Sequence, residues 1–123
     1  MTKSPHCIGH DQPLSKAHER MRELRVRHLP VLDGGKLVGI LSQRDLFFLE
    51  TLRDVNPGKV SVEEAMSADV YVVPPERPLG EVAAKMVQSK LGCAVVVRGG
   101  HVAGIFTTSD ALRVLVNIVE AWN

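Results

Sequence analysis

The strongest constraint on this chain is that it reads twice. An ungapped offset of 65 residues brings Leu37-Val38-Gly39-Ile40-Leu41-Ser42-Gln43-Arg44-Asp45 onto Val102-Ala103-Gly104-Ile105-Phe106-Thr107-Thr108-Ser109-Asp110. The same register puts Pro13 on Pro78, Leu14 on Leu79, Met21 on Met86, Val31 on Val96 and Gly34-Gly35 on Gly99-Gly100. A fixed period of this length signals one supersecondary unit repeated, each copy unable to bury its apolar face alone. The 123 residues thus divide into copies at 1–56 and 57–123, joined near Asn56-Pro57-Gly58-Lys59. Two such small copies are expected to pack as a pseudo-two-fold pair.

Each copy reads as strand, helix, strand, hairpin, strand, helix, an α/β (α+β) unit with a small sheet and two packed helices. Short strands are expected from Pro5 to Gly9 and from Val70 to Val73. Leu14, Ala17, Met21 and Leu24 form one apolar stripe at helical spacing, and Leu79, Val82, Ala83, Met86 and Val87 form its twin. His28 to Leu32 and Ala94 to Val97 suit strands covered on both faces. Gly34-Gly35 and Gly99-Gly100 supply the positive φ of a tight hairpin. Pro30 cannot donate to a ladder, so it belongs at a strand's beginning or on an unpaired side. The closing helix from Ala111 to Val119 is apolar on more than one face. It is expected to be buried nearly all round in a homodimer, together with Leu46, Phe47 and Leu49.

Composition narrows the classes. Lys plus Arg number 15 against 14 for Asp plus Glu, so a main role in neutralising a phosphate backbone or an anionic membrane is not expected. The aromatic share of 4% leaves few stacking platforms for single-stranded nucleic acid. No apolar run is long enough to span a bilayer, and Met1 to Pro5 does not open a signal peptide. Cys7 and Cys93 make no disulfide framework and read as two reduced thiols in a cytoplasmic protein.

The segment from Arg27 to Leu46 closely resembles the signature of the CBS (cystathionine-beta-synthase-type) domain, and Cys93 to Ala111 resembles it with a less typical opening. Val62-Glu63-Glu64-Ala65-Met66 is similar to the lead-in of a second repeat; the first copy begins at Met1, the position matching Met66, which is expected to weaken the packing at that end. The resemblance implies a CBS pair, or Bateman module, which binds adenosine-containing ligands in clefts between repeats and often forms disc-shaped dimers.

It also implies roles for residues. The aspartates Asp45 and Asp110 would accept hydrogen bonds from ribose hydroxyls, with Ser42 and Thr107 near ribose or phosphate at a helix start. A carboxylate is an acceptor matched to a vicinal diol, and helix N-terminal N–H groups favour phosphate. The cleft using Ser42 and Asp45 would add Arg27, His28, Asp69 and Tyr71; the other, using Thr107 and Asp110, would add Ser4, His6, Val26, Gly92 and Cys93. Arg27 can meet a phosphate and its counterpart Gly92 cannot, so the first cleft is favoured for a phosphorylated ligand. The same Ser/Thr-x-x-Asp pattern is also a capping box that needs no ligand.

Other patterns carry less. His6 and His10 lie across a strand and turn, not on a helix, so their spacing forms no metal site. Cys93 has no partner in a C-x-x-C frame and no base to activate it. Glu19 and Glu23 interrupt the basic run from Lys16 to Arg27, which reads as a solvated helix face. Gly34-Gly35-Lys36 is a hairpin turn, not a P-loop. The expectation is a non-catalytic regulatory module, with no cofactor and no metal. It binds AMP, ADP, ATP or a related adenosyl ligand and signals by conformational change to a protein partner. The alternative is a structural or interaction CBS pair with empty clefts.

Overall fold

The computed structural model describes residues 2–3, 6–53 and 56–122. In chain order these form β1 (Thr2–Lys3), β2 (Ile8–Gly9), α1 (Leu14–Leu24), β3 (His28–Asp33), β4 (Lys36–Ser42), α2 (Gln43–Arg53), α3 (Val62–Ala65), β5 (Val72–Val73), α4 (Leu79–Ser89), β6 (Cys93–Arg98), β7 (His101–Thr107) and α5 (Thr108–Trp122). The offset of 65 survives to the residue: α1 and α4, β3 and β6, and β4 and β7 begin and end in step. The hairpins turn on Gly34-Gly35 and Gly99-Gly100, all at positive φ. Arg25 and Lys90 end α1 and α4 in the left-handed region, at φ 56° and 54°, where a side chain costs about 1 kcal/mol relative to glycine.

Two compact units result: His6–Val70, and residues 71–122 joined by the strand at 2–3. In the first, β3 is central, with β2 parallel on one side and β4 antiparallel on the other. In the second, β6 lies between parallel β5 and antiparallel β7, and β1 adds to the outer edge of β7.

The outer edge of each hairpin is completed by the lead-in of the other copy. Ser67 and Ile40 exchange both backbone hydrogen bonds at 2.9 Å, and Thr2 occupies the equivalent register against Ile105. This close approach explains Gly39. A Cβ there would lie 2.5 Å from Met66 Sδ and 2.9 Å from the Ser67 carbonyl oxygen, so only glycine fits beneath the crossing chain.

Each unit has its own core. Ile8, Ala17, Met21, Leu29, Val31 and Leu41 are buried in one, and Val73, Val82, Met86, Ala94, Val96 and Phe106 take the same places in the other. The first core is larger. Val62 of α3 packs into it, and the Leu14 N–H donates to the Val60 carbonyl, so Leu14 is fully buried whereas its counterpart Leu79 is 46% exposed. The lead-in, counted with the second copy along the chain, thus belongs to the first compact unit.

Pro30 is the third residue of β3, not its first. Its partner Ile40 directs both backbone groups to Ser67, and the matching residue Val95 donates its N–H to the Tyr71 carbonyl. The proline nitrogen therefore lies on the side of His6, ahead of the start of β2, where no ladder donor is required.

Within the single chain the closing helix is not buried all round. Asp110 is buried and Ala111 packs on the second core, but Leu112, Leu115, Val116, Ile118, Val119 and Trp122 are exposed. A helix lying on one sheet has one face to bury. Leu46 and Leu49 belong to the first unit's own core, while Phe47 and Phe48 are large apolar residues of α2 that are exposed.

Two outcomes follow from this packing. Gly39→Ala should lower stability by about 1–3 kcal/mol, the range for overpacking. Gly80→Ala, where an added Cβ meets nothing within 4 Å, should be neutral or gain about 0.5 kcal/mol; chemical denaturation of both variants checks the pair. His10 stands between two carboxylates, with Nδ1 at 3.2 Å from Glu63 Oε2 and Nε2 at 3.4 Å from Asp33 Oδ1. The hydrogen bond to Glu63 raises its pKa above the ordinary 6.5, aided by the charges of Asp33, Glu63 and Asp11 and opposed by burial. Its contribution is full below the unfolded-state value and lost as pH rises through the raised folded-state value. Melting curves of wild type and His10→Gln should therefore differ at acidic pH and converge at alkaline pH.

Candidate functional site

The Ser/Thr-x-x-Asp elements stand where a return strand becomes a helix. Ser42 is the last residue of β4 and Thr107 the last of β7. In the first copy the Ser42 N–H donates to Asp45 Oδ2 at 3.2 Å, and the Asp45 N–H donates to Ser42 Oγ at 3.0 Å. In the second, Asp110 Oδ2 accepts from the Thr107 N–H at 2.9 Å and the Thr107 hydroxyl at 3.1 Å, while the Asp110 N–H donates to Thr107 Oγ1 at 3.2 Å. Both are complete capping boxes. They also fix each carboxylate at the first turn of its helix, where N–H groups lack intrahelical partners.

The two copies differ around this frame. Asp45 is half-buried, and its Oδ1 has no partner among the described residues. Asp110 is only 5% exposed, and its Oδ1 accepts a 2.6 Å hydrogen bond from Arg113 Nη1. Arg113 was not anticipated from the sequence. The signal was its i,i+3 spacing from Asp110, with Phe48 at the matching place in the first copy.

Within the first unit the structure gathers Arg27, His28, Ser42 and Asp45. His28 is cross-strand from Ser42, and the Gln43 N–H donates to the Arg27 carbonyl at 2.9 Å. Arg27 is exposed, and its guanidinium makes no ion pair among the described residues. Burial pushes the His28 pKa below 6.5, against the Asp45 charge and with the Arg27 charge, so the imidazole is neutral at pH 7 and can accept as well as donate. In the second unit Cys93 is cross-strand from Thr107, and the Thr108 N–H donates to the Gly92 carbonyl at 3.2 Å. Burial pushes the Cys93 thiol up to about 11, which leaves it protonated and unreactive at neutral pH.

The remaining expected residues are distributed between the units. Asp69, His6 and Val26 belong to the first unit: Asp69 and His6 are exposed, and Val26 packs on the core. Tyr71 belongs to the second, packed against its core with its carbonyl held by Val95. Ser4 lies outside the described residues. A hollow lined by Cys7, His10, Asp11 and Asp33 lies elsewhere on the first unit and includes none of the expected ligand residues. Among the described residues no three His, Cys, Asp or Glu side chains gather as metal ligands.

Comparison with known proteins places this geometry in a family. The CBS-domain family model matches residues 1–50 and 62–117. The chain is similar to a Vibrio cholerae protein named for acetoin utilization (AcuB), at 36% identity and TM-score 0.86, covering 98% of this chain and 89% of that one. It is similar to the CBS pair of protein MJ0100, solved in complex with 5′-methylthioadenosine and S-adenosylmethionine, at 27% identity and TM-score 0.81 over 94% and 92% of the two chains. Inosine-5′-monophosphate dehydrogenase of Korarchaeum cryptofilum is 32% identical over 104 residues, 84% of this chain and 21% of that protein. The chain spans about a fifth of the length of the first curated relatives it matches. With two matched repeats covering most of its length, the chain belongs to the CBS-domain family and carries a pair of its repeats.

Proposed function

We propose that this CBS pair is a regulatory module that binds an adenosine-containing ligand and works by binding alone, in the cytoplasm. The observation that carries the reading is the Asp45 carboxylate. One oxygen is oriented by the Ser42 N–H and the other is unpartnered among the described residues, an acceptor aimed for a ribose diol. The solved MJ0100 pair, with its two adenosyl ligands, supports the ligand class. Arg27, exposed one residue before His28, supplies local positive charge for a phosphate in a chain whose net charge is only +1. A second reading, an interaction module with empty sites, is favoured by the fact that both boxes already serve as caps.

Output requires a ligand with unequal affinity for two conformations, which a partner protein then reads. The exposed stripe of Leu112, Leu115, Val116, Val119 and Trp122 supports a homodimer as the assembled form.

Thermal-shift titration with AMP, ADP, ATP, S-adenosylmethionine and NAD tests the ligand. Stabilisation by at least one at millimolar concentration is expected, and silence from all five would leave the interaction module standing. Asp45→Ala, measured against its own unliganded baseline because the cap is worth about 1 kcal/mol, should weaken binding by about tenfold or more. Sedimentation at micromolar concentration should show a dimer that Leu115→Glu dissociates; a monomeric wild type would refute that assembly.

A further inference from the structure

Two side-chain donors distinguish the carboxylates of the two boxes, and one of them, Arg113, comes from outside the box. Among the described residues Asp45 accepts only the Ser42 N–H, and the residue three positions on, Phe48, is exposed and has no donor to offer. Asp110 accepts from the Thr107 N–H, the Thr107 hydroxyl and the Arg113 guanidinium. A carboxylate presents about four lone-pair positions, so three are already filled on a group that is 5% exposed. A vicinal diol needs two open positions, and Asp110 cannot supply them while Arg113 holds Oδ1.

We propose that Arg113 is a latch on the second repeat's ligand carboxylate, so that the first repeat is the site that fills and the second opens only when Arg113 leaves Asp110. The inference rests on the adenosyl-ligand reading of these carboxylates. Arg113 suits a latch rather than a structural tie because its side chain is 71% exposed while its partner carboxylate is 6% exposed. Its withdrawal uncovers an acceptor without opening a cavity. Thr107 and Asp110 repeat the two backbone N–H bonds of Ser42 and Asp45 and add the Thr107 hydroxyl within the box, so Arg113 is the donor, among the described residues, that reaches Asp110 from outside it. Arg113 is accordingly a specificity-determining positioning residue, acting through Asp110.

Calorimetric titration with AMP and, separately, with uncharged 5′-methylthioadenosine tests this on the full chain. The neutral probe separates the contest for Asp110 from attraction between Arg113 and a phosphate. Wild type should bind one equivalent, lost in Asp45→Asn. Arg113→Ala, and Arg113→Phe as a second variant copying Phe48, should reveal a second equivalent tightened by about fivefold, the upper end of what an exposed ion pair holds. The gain should vanish in Arg113→Ala combined with Asp110→Asn. An unchanged single equivalent in both Arg113 variants with either probe would overturn the latch alone. So would two equal sites in wild type, or a second equivalent that survives the loss of Asp110. Absence of binding to every protein would instead overturn the adenosyl reading, and the latch with it.

Discussion

The pairing of each hairpin's outer edge by the other copy's lead-in is the interaction on which the rest of this structure depends. A hairpin edge left open presents unpaired N–H and C=O groups, which compact domains must cover. Here Ser67 closes the edge at Ile40 and Thr2 closes it at Ile105. Gly39 is a glycine because the crossing chain at Met66 and Ser67 leaves no room for a Cβ. The crossing also carries α3 onto the start of α1, where Val60 and Val62 bury Leu14, and it sets Glu63 within reach of His10.

The same crossing marks the limit of what could be read from the residues alone. The offset of 65 located α1 and α4, the hairpins and the two capping boxes, because each is encoded by local spacing and by glycines at positive φ. A local pattern does not say which copy a short lead-in joins, so the division of the chain at 56/57 and the compact unit ending at Val70 describe different things. The apolar closing helix was legible as apolar but not as exposed, because hydrophobic periodicity reports a face and not what covers it. Pro30 was legible as a problem, and the backbone partner of Ile40 was its answer.

Repeats that share a frame need not share chemistry. Arg27 against Gly92, Leu14 against Leu79 and Phe48 against Arg113 alter charge, burial and donor supply while β3 and β6 stay in register with their hairpin partners to the residue. The boxes themselves are part of the scaffold, since each caps its helix without a ligand. What distinguishes the copies is therefore the set of groups left over once the caps are made: among the described residues, an open oxygen on Asp45 and a filled one on Asp110.

The exchanged lead-ins have a further consequence for the covalent linkage of the two copies. A single repeat using this geometry would have to lend its lead-in to a second molecule and receive one in return, so its folding would depend on concentration. Tandem fusion through residues 56–59 turns that exchange into a unimolecular event governed by an effective concentration of the linked segments. The linker is thus part of the folding reaction itself, and cutting it would be felt in the sheets and not only in the spacing of the repeats.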